Sequence, residues 1–201
     1  LNNCDDGYCS IGEYSGIVNG YNAINGGTGY INIELNNDPN KQVKARGVAN
    51  GIKGYGGNGH ADGSVGHIKI TDNGDSDIIG IDSKDGYDKY SSHNYKNSTI
   101  ELISAATEQS TVTGILNYLQ SSNYGEITIS LSGRATANGL YSKLYSSDTT
   151  DFSAAVNTGN ITINRKYTDN TISADTEIAS ETHGMYSNRG HLTNHGIITL
   201  T

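Results

Sequence analysis

The densest acidic runs are Asp72-Asn-Gly-Asp75-Ser-Asp77 and Asp82-Ser-Lys-Asp85-Gly-Tyr-Asp88. Calcium takes six or more oxygen ligands, and carboxylates at alternate loop positions supply some of them. Neither run has the EF-hand spacing or its closing Glu, so solvated acidic loops are the leading reading and Ca2+ the lesser one. His183, His191 and His195 offer three imidazoles of the kind zinc takes. Successive short strands point their polar residues in different directions, which predicts three separate, exposed side chains. Gly54-Tyr-Gly56-Gly-Asn-Gly59 has the glycine spacing of a dinucleotide cradle, but that chemistry needs a strand before it and a helix after it. No helical pattern follows, so a flexible corner loop is expected. Arg46 and Arg134 each lie five residues before a glycine of a recurring motif, which would place them on one face. Polysaccharide-cleaving sites need clustered carboxylates, joined in lyases by an Arg or Lys. The equivalent positions elsewhere hold Asp75, Gln109 and Ala179, and no Gly-x-Ser-x-Gly is present. The expectation is a protein that is not an enzyme and has no resident cofactor.

Two cysteines, Cys4 and Cys9, are separated by four residues that include a glycine. A disulfide closing so small a ring stabilises by about 2 kcal/mol in the chain-entropy account. Paired cysteines this close, with none elsewhere, point to an oxidising compartment; half a metal site or free thiols are the other readings. Tyrosine is the most abundant aromatic, with 14 residues against one Phe and no Trp. It offers a large contact face with a polar tip, suited to sugars and protein partners. Tyr87, Tyr90 and Tyr95 crowd one stretch, Tyr141 and Tyr145 another, and these make the candidate binding loops. The bland reading is that tyrosines cover coil edges and fill corners.

The elements that must hold these residues follow from composition and repeats. The net charge of −8 repels phosphate backbones, so no nucleic-acid partner is expected. No run of 18 apolar residues suits a membrane span. The chain holds 26 Gly and 23 Asn, the residues that tolerate left-handed turns. Large core-filling residues are nearly absent, which suits a core one side chain deep, repeated many times.

One motif, Gly-x-Ile-x-Ile or a close variant, starts at residues 29, 66, 98, 125, 159 and 196, with Ser98 standing in place of the glycine. A second, a Gly followed by an apolar residue, alternates with it: Gly16-Ile17, Gly51-Ile52, Gly80-Ile81, Gly114-Ile115, Gly139-Leu140 and Gly184-Met185. Period-two alternation makes each first motif a strand with its branched residues on one face. The residues expected between them, on the other face, are Asn32, Lys69, Glu101, Thr128, Thr162 and Ile198. Residues 184–201 read as three short strands with Asn- and Gly-containing corners between them. Stacked three-strand units bury a continuous narrow core. The expected fold is therefore all-β: a right-handed parallel β-helix, or solenoid, of about six imperfect coils with loop insertions. It forms a single domain over 1–201, with residues 1–15 carrying the disulfide loop. Residues 54–63 and 87–97 read as inserted loops, and an antiparallel sandwich is the lesser alternative.

The run Gly-Met-Tyr-Ser-Asn-x-Gly-x-Leu-Thr-Asn-x-Gly-Ile-Ile-Thr-Leu resembles the passenger repeats of bacterial autotransporters. That resemblance implies a β-solenoid on the bacterial cell surface or secreted, acting as an adhesin or structural stalk. Its partner would be a glycan or protein of a host or neighbouring cell. Two alternatives stand beside it. One is an extracellular fibre subunit joined end to end through Ile197, Ile198 and Leu200. The other is a polysaccharide-processing or tailspike-like domain.

Overall fold

A computed structural model describes residues 12–19, 21–36, 43–50, 56–83, 91–106, 110–118, 120–143, 153–166, 180–188 and 190–201. Every regular element among them is a short strand. The chain runs β1 (Gly12–Asn19), β2 (Ala23–Asn25), β3 (Gly29–Leu35), β4 (Val43–Asn50), β5 (Gly56–Asn58) and β6 (Gly66–Asp72). It continues through β7 (Asp77–Ser83), β8 (Ser91–Asn94), β9 (Thr99–Ser104), β10 (Thr111–Asn117), β11 (Gln120–Asn123) and β12 (Glu126–Leu131). It closes with β13 (Thr136–Ser142), β14 (Ser153–Asn157), β15 (Asn160–Arg165), β16 (Thr182–Ser187), β17 (Gly190–Asn194) and β18 (Ile197–Leu200). Each strand pairs in parallel with the third strand before or after it, giving three six-stranded sheets. Sheet A begins with β1, sheet B with β2 and sheet C with β3. The fold is a β-solenoid. Six rungs per sheet leave four coils covered on both sides and a terminal coil at each end, so the expected six counts rungs and four counts enclosed coils.

The first motif builds sheet C. Ile31, Ile68, Ile100, Ile127, Ile161 and Ile198 stand in one column. Ile33, Ile70, Leu102, Ile129, Ile163 and Leu200 stand in the next. Thr199, not Ile198, pairs with Thr162 on the outer face, so the inner column runs unbroken into the last coil. Every outer residue between the two columns is then polar.

The second motif builds sheet A, and its glycines meet the first motif directly. A Cβ on Gly16, Gly47, Gly80, Gly114, Gly139 or Gly184 would lie 2.4–2.7 Å from Cγ2 of the facing first-column isoleucine of the same coil. In the first five it would also lie 2.4–2.8 Å from the carbonyl oxygen of the corresponding glycine one coil on. Only a hydrogen fits there. Core side chains flank each glycine three residues apart, as with Ala45 and Val48, so inward alternation slips by one at that point. This corrects the second coil. Val48 pairs with Ile17 on one side and Ile81 on the other, so Gly47-Val48 fills the place expected for Gly51-Ile52, which lie outside the described residues.

Sheet B contributes small inward residues, including Ala23, Gly56, Ser92, Ser121 and Ala155. The apolar core therefore sits between sheets A and C, which accounts for the scarcity of aromatic core-fillers. Two expected loops also contain rungs of sheet B: Gly56–Asn58 is β5, and Ser91–Asn94 is β8.

At the corner from sheet B to sheet C, six asparagines form a continuous amide ladder. Nδ2 of Asn25 donates to Oδ1 of Asn58, and the pattern repeats through Asn94, Asn123, Asn157 and Asn194, with spacings of 2.8–3.0 Å. In Asn25, Asn58, Asn94 and Asn123 the second Nδ2 hydrogen goes to a sheet C carbonyl one coil on, as from Asn58 to Thr99 at 2.9 Å and from Asn123 to Asn160 at 3.1 Å, whereas Asn157 and Asn194 turn it to the carbonyls of Gly159 and Gly196 in their own coil. Buried amides must be paired to be tolerated, and here both hydrogens are placed. The corner from sheet A to sheet B is also polar inside: Asn117 Nδ2 donates to Ser92 Oγ at 2.9 Å, and Ser83 bonds Asn50 at 2.7 Å and also bonds Ser92.

Candidate aromatic corner

Just outside the amide ladder, the chain leaves each sheet B strand through one corner residue. Tyr95 N donates to Asn58 O at 2.9 Å, and Tyr124 N donates to Asn94 O at 2.8 Å. The two tyrosines thus occupy equivalent places on adjacent coils. Their rings stack, with centroids 6.5 Å apart and planes inclined by 29°. His93, which points outward from the middle of β8, has its ring 5.5 Å from that of Tyr95 and 6.2 Å from that of Tyr124. His60 completes the cluster, 6.0 Å from Tyr95.

The backbone beneath is shaped for these rings. A Cβ on Gly57 would lie 3.6 Å from Tyr95 Cε2, so the ring lies over that glycine of the preceding coil. Gly59 has φ +80°, and a Cβ there would meet Ser98 Oγ at 2.2 Å and Tyr95 Cβ at 3.1 Å. Any other residue at 59 would be strained by its backbone and would crowd the ring. The His60–Ser64 turn is closed by His60 N to Ser64 O at 3.0 Å and Gly63 N to His60 O at 3.1 Å. Asp62 lies 3.3 Å from His60 Nδ1, and hydrogen bonds from Ser64 hold its carboxyl below the usual range. His93 Nε2 bonds Ser91 Oγ at 2.6 Å, its Nδ1 is buried without a partner, and burial lowers its pKa. Neutral imidazole is therefore favoured there, which keeps the cluster apolar.

Of the expected binding residues, Tyr95 belongs to this cluster. Tyr141 lies on sheet A, 5.1 Å from Tyr186, which stacks on His183 at 4.8 Å. Tyr87, Tyr90, Tyr145, Cys4 and Cys9 lie outside the described residues. Tyr124, His60 and His93 were not singled out by sequence. The only signal for Tyr124 was its place directly after a ladder asparagine, as in Asn94-Tyr95 and Asn123-Tyr124. Ile197, Ile198 and Leu200 lie on β18, paired with β15 on one side.

Several of the other candidate groups make structural contacts, while Asp85 and Asp88 lie outside the described residues. Asp72 is buried, accepting from Gly74 N at 3.1 Å and Ser76 N at 2.9 Å, and desolvation raises its pKa against those bonds. Asp77 accepts from Thr111 N at 2.7 Å. Asp82 lies 2.6 Å from Arg46 Nε and 3.6 Å from Lys44. The Arg46 Nε–H is not aligned on Asp82 Oδ2, so this contact is an ion pair rather than a hydrogen bond. Both side chains are almost fully buried, and Arg46 also forks onto Glu13 with two contacts of 3.1 Å. Arg46 stands one residue before its motif glycine and Arg134 five before Gly139, so the expected shared face does not exist. His183 and His191 lie on different sheets, and His183 Nδ1 is 3.0 Å from Asn138 Oδ1. Among the described residues no three His, Cys, Asp or Glu side chains converge as metal ligands, and no helix is long and apolar enough to cross a membrane.

Compared with protein families, characterised proteins and solved structures, the chain gives no significant match to any of them.

Proposed function

We propose that the chain is a non-enzymatic, surface-exposed or secreted solenoid of the autotransporter-passenger type, which works as an adhesive stalk and binds through its corners. The supporting observation is the stacked pair Tyr95 and Tyr124 at equivalent corner positions, flanked by His60 and His93. Inside, the columns serve stacking; the corners vary without disturbing them. An aromatic cluster outside a rigid rod is a preorganised contact surface, and rigidity lowers the ordering cost of binding. The test is retention of chain-coated beads on host and bacterial cell layers. Tyr95→Ala/Tyr124→Ala should lower retention at least tenfold, with Tyr30→Ala as the control. Equal retention by all three overturns the reading.

A second reading is end-to-end assembly with a further copy. It is favoured by the exposed Leu192, Ile197 and Leu200 on β17 and β18. Concentration-dependent fibres in electron micrographs would support it, and discrete rods at every concentration would sink it.

A further inference from the structure

The aromatic corner also carries information about its ligand. Tyr124 is 44% exposed, so one ring of the stack presents its surface to solvent while Tyr95 is held against Gly57 and Gly59. The turn that follows Tyr95 adds two exposed polar residues, Lys96 and Asn97, and Asp62 and Ser64, bonded to one another at 2.6 Å, lie beside His60, which contacts Tyr95. An exposed aromatic face with a polar turn on the adjacent coil matches a molecule with one C–H-rich face and hydroxyls around its edge. A protein hot spot differs, since it sits at the centre of a patch of roughly 800 Å² per partner with a desolvated apolar middle. Stacked bases would suit the rings, but their phosphates face a chain of net charge −8. The same charge disfavours uronic and sialic acids.

We propose that this corner is a binding site for a neutral hexopyranose ring, which stacks on Tyr124 with its hydroxyls directed to solvent and to the polar turn of Lys96 and Asn97. The proposal rests on the adhesive reading and narrows it to one ligand class. Tyr124 is the platform. Tyr95 and His93 are positioning residues, which fix the platform from the adjacent coil.

The experiment is saturation-transfer NMR on the full chain with the methyl glycosides of glucose, galactose and mannose, and glucuronic acid as the charged comparison. At least one neutral hexoside should receive saturation at its ring C–H protons. Tyr124→Ala should weaken its binding at least tenfold, Tyr124→Phe should keep it within about threefold, and Tyr186→Ala should leave it unchanged. Circular dichroism of each variant separates loss of the platform from loss of the fold. If Tyr124→Ala misfolds, Tyr124→Ser and competition by free phenol give the same comparison. No transfer to any neutral hexoside, or equal transfer with and without the Tyr124 ring, overturns the proposal. If cell retention depends on Tyr124 while no hexoside binds, the adhesive reading stands and the sugar assignment falls.

Discussion

Asn58 Nδ2 lies 2.9 Å from Asn94 Oδ1, and the same nitrogen donates to Thr99 O at 2.9 Å. One side chain thereby ties two sheets and two coils together at a buried corner. Asn94→Ala would leave Asn58 without its side-chain acceptor and Asn123 Oδ1 without its donor. An unsatisfied buried group costs about 1–3 kcal/mol, so a loss of about 3 kcal/mol is expected in denaturant melts. Asn94→Asp should cost more, because it would bury a carboxylate against the Asn123 Oδ1 and Glu126 O acceptors. Equal stability of Asn94→Ala and the unmodified chain would contradict the ladder's role.

The glycine column gives a sharper steric prediction. A Cβ on Gly114 meets Gly139 O at 2.5 Å and Ile127 Cγ2 at 2.7 Å. Gly114→Ala should destabilise by about 3 kcal/mol, in the upper range for overpacking. Adding Ile127→Ala should not restore stability, because the backbone oxygen remains. Recovery in the double variant would show that the side chain alone sets the limit.

The Arg46–Asp82 pair is nearly dry, so its two halves should not behave additively. Removing one partner of a buried pair costs roughly 3–5 kcal/mol, because the other charge is stranded. Asp82→Ala should fall in that range, moderated by Lys44 and Glu13, which lie against the pair. Asp82→Leu/Arg46→Met should be less destabilised than Asp82→Ala alone. A double-mutant cycle reads the difference.

His93 makes stability depend on pH in a defined direction. Burial lowers its folded pKa below 6.5. The unfolded chain therefore takes up the proton first as pH falls, so the contribution of His93 is fully present above pH 6.5 and is lost between there and the folded value. Melts at pH 7.5, 6.5 and 5.5 should show less acid destabilisation in His93→Phe than in the unmodified chain. Parallel pH profiles would rule out the assigned environment.

Much of this architecture was legible in the sequence, because stacking forces periodicity onto residues that meet their own copies. The Gly-x-Ile-x-Ile motif located sheet C and nearly all of its register. Sequence and structure part where local resemblance competes with pairing. Ala49-Asn-Gly-Ile52 copies Ala137-Asn-Gly-Leu140 closely, yet the chain uses Ala45-Arg-Gly-Val48 at that rung, because Gly47 is the residue that meets Ile68. Short, polar rungs such as Gly56–Asn58 and Ser91–Asn94 look like loops in the sequence. Their stability comes from neighbours above and below, not from apolar content of their own. The amide ladder was hidden by variable corners: Asn58 precedes Gly66 by eight residues, whereas Asn157 precedes Gly159 by two. The aromatic cluster joins residues separated by more than one coil, so no window of sequence displays it.

The amide ladder also gives the molecule a direction. The Nδ2 atoms of Asn25, Asn58, Asn94, Asn123 and Asn157 each point to the coil that follows, so these amide dipoles add along the axis instead of cancelling. Among the described residues the file runs from a carbonyl at Asn25 to an N–H at Asn194. A neighbouring rung that extends the file must bring a donor to the first end or an acceptor to the last. Two such files can be spliced head to tail, while a head-to-head splice would set like poles against each other at this buried corner.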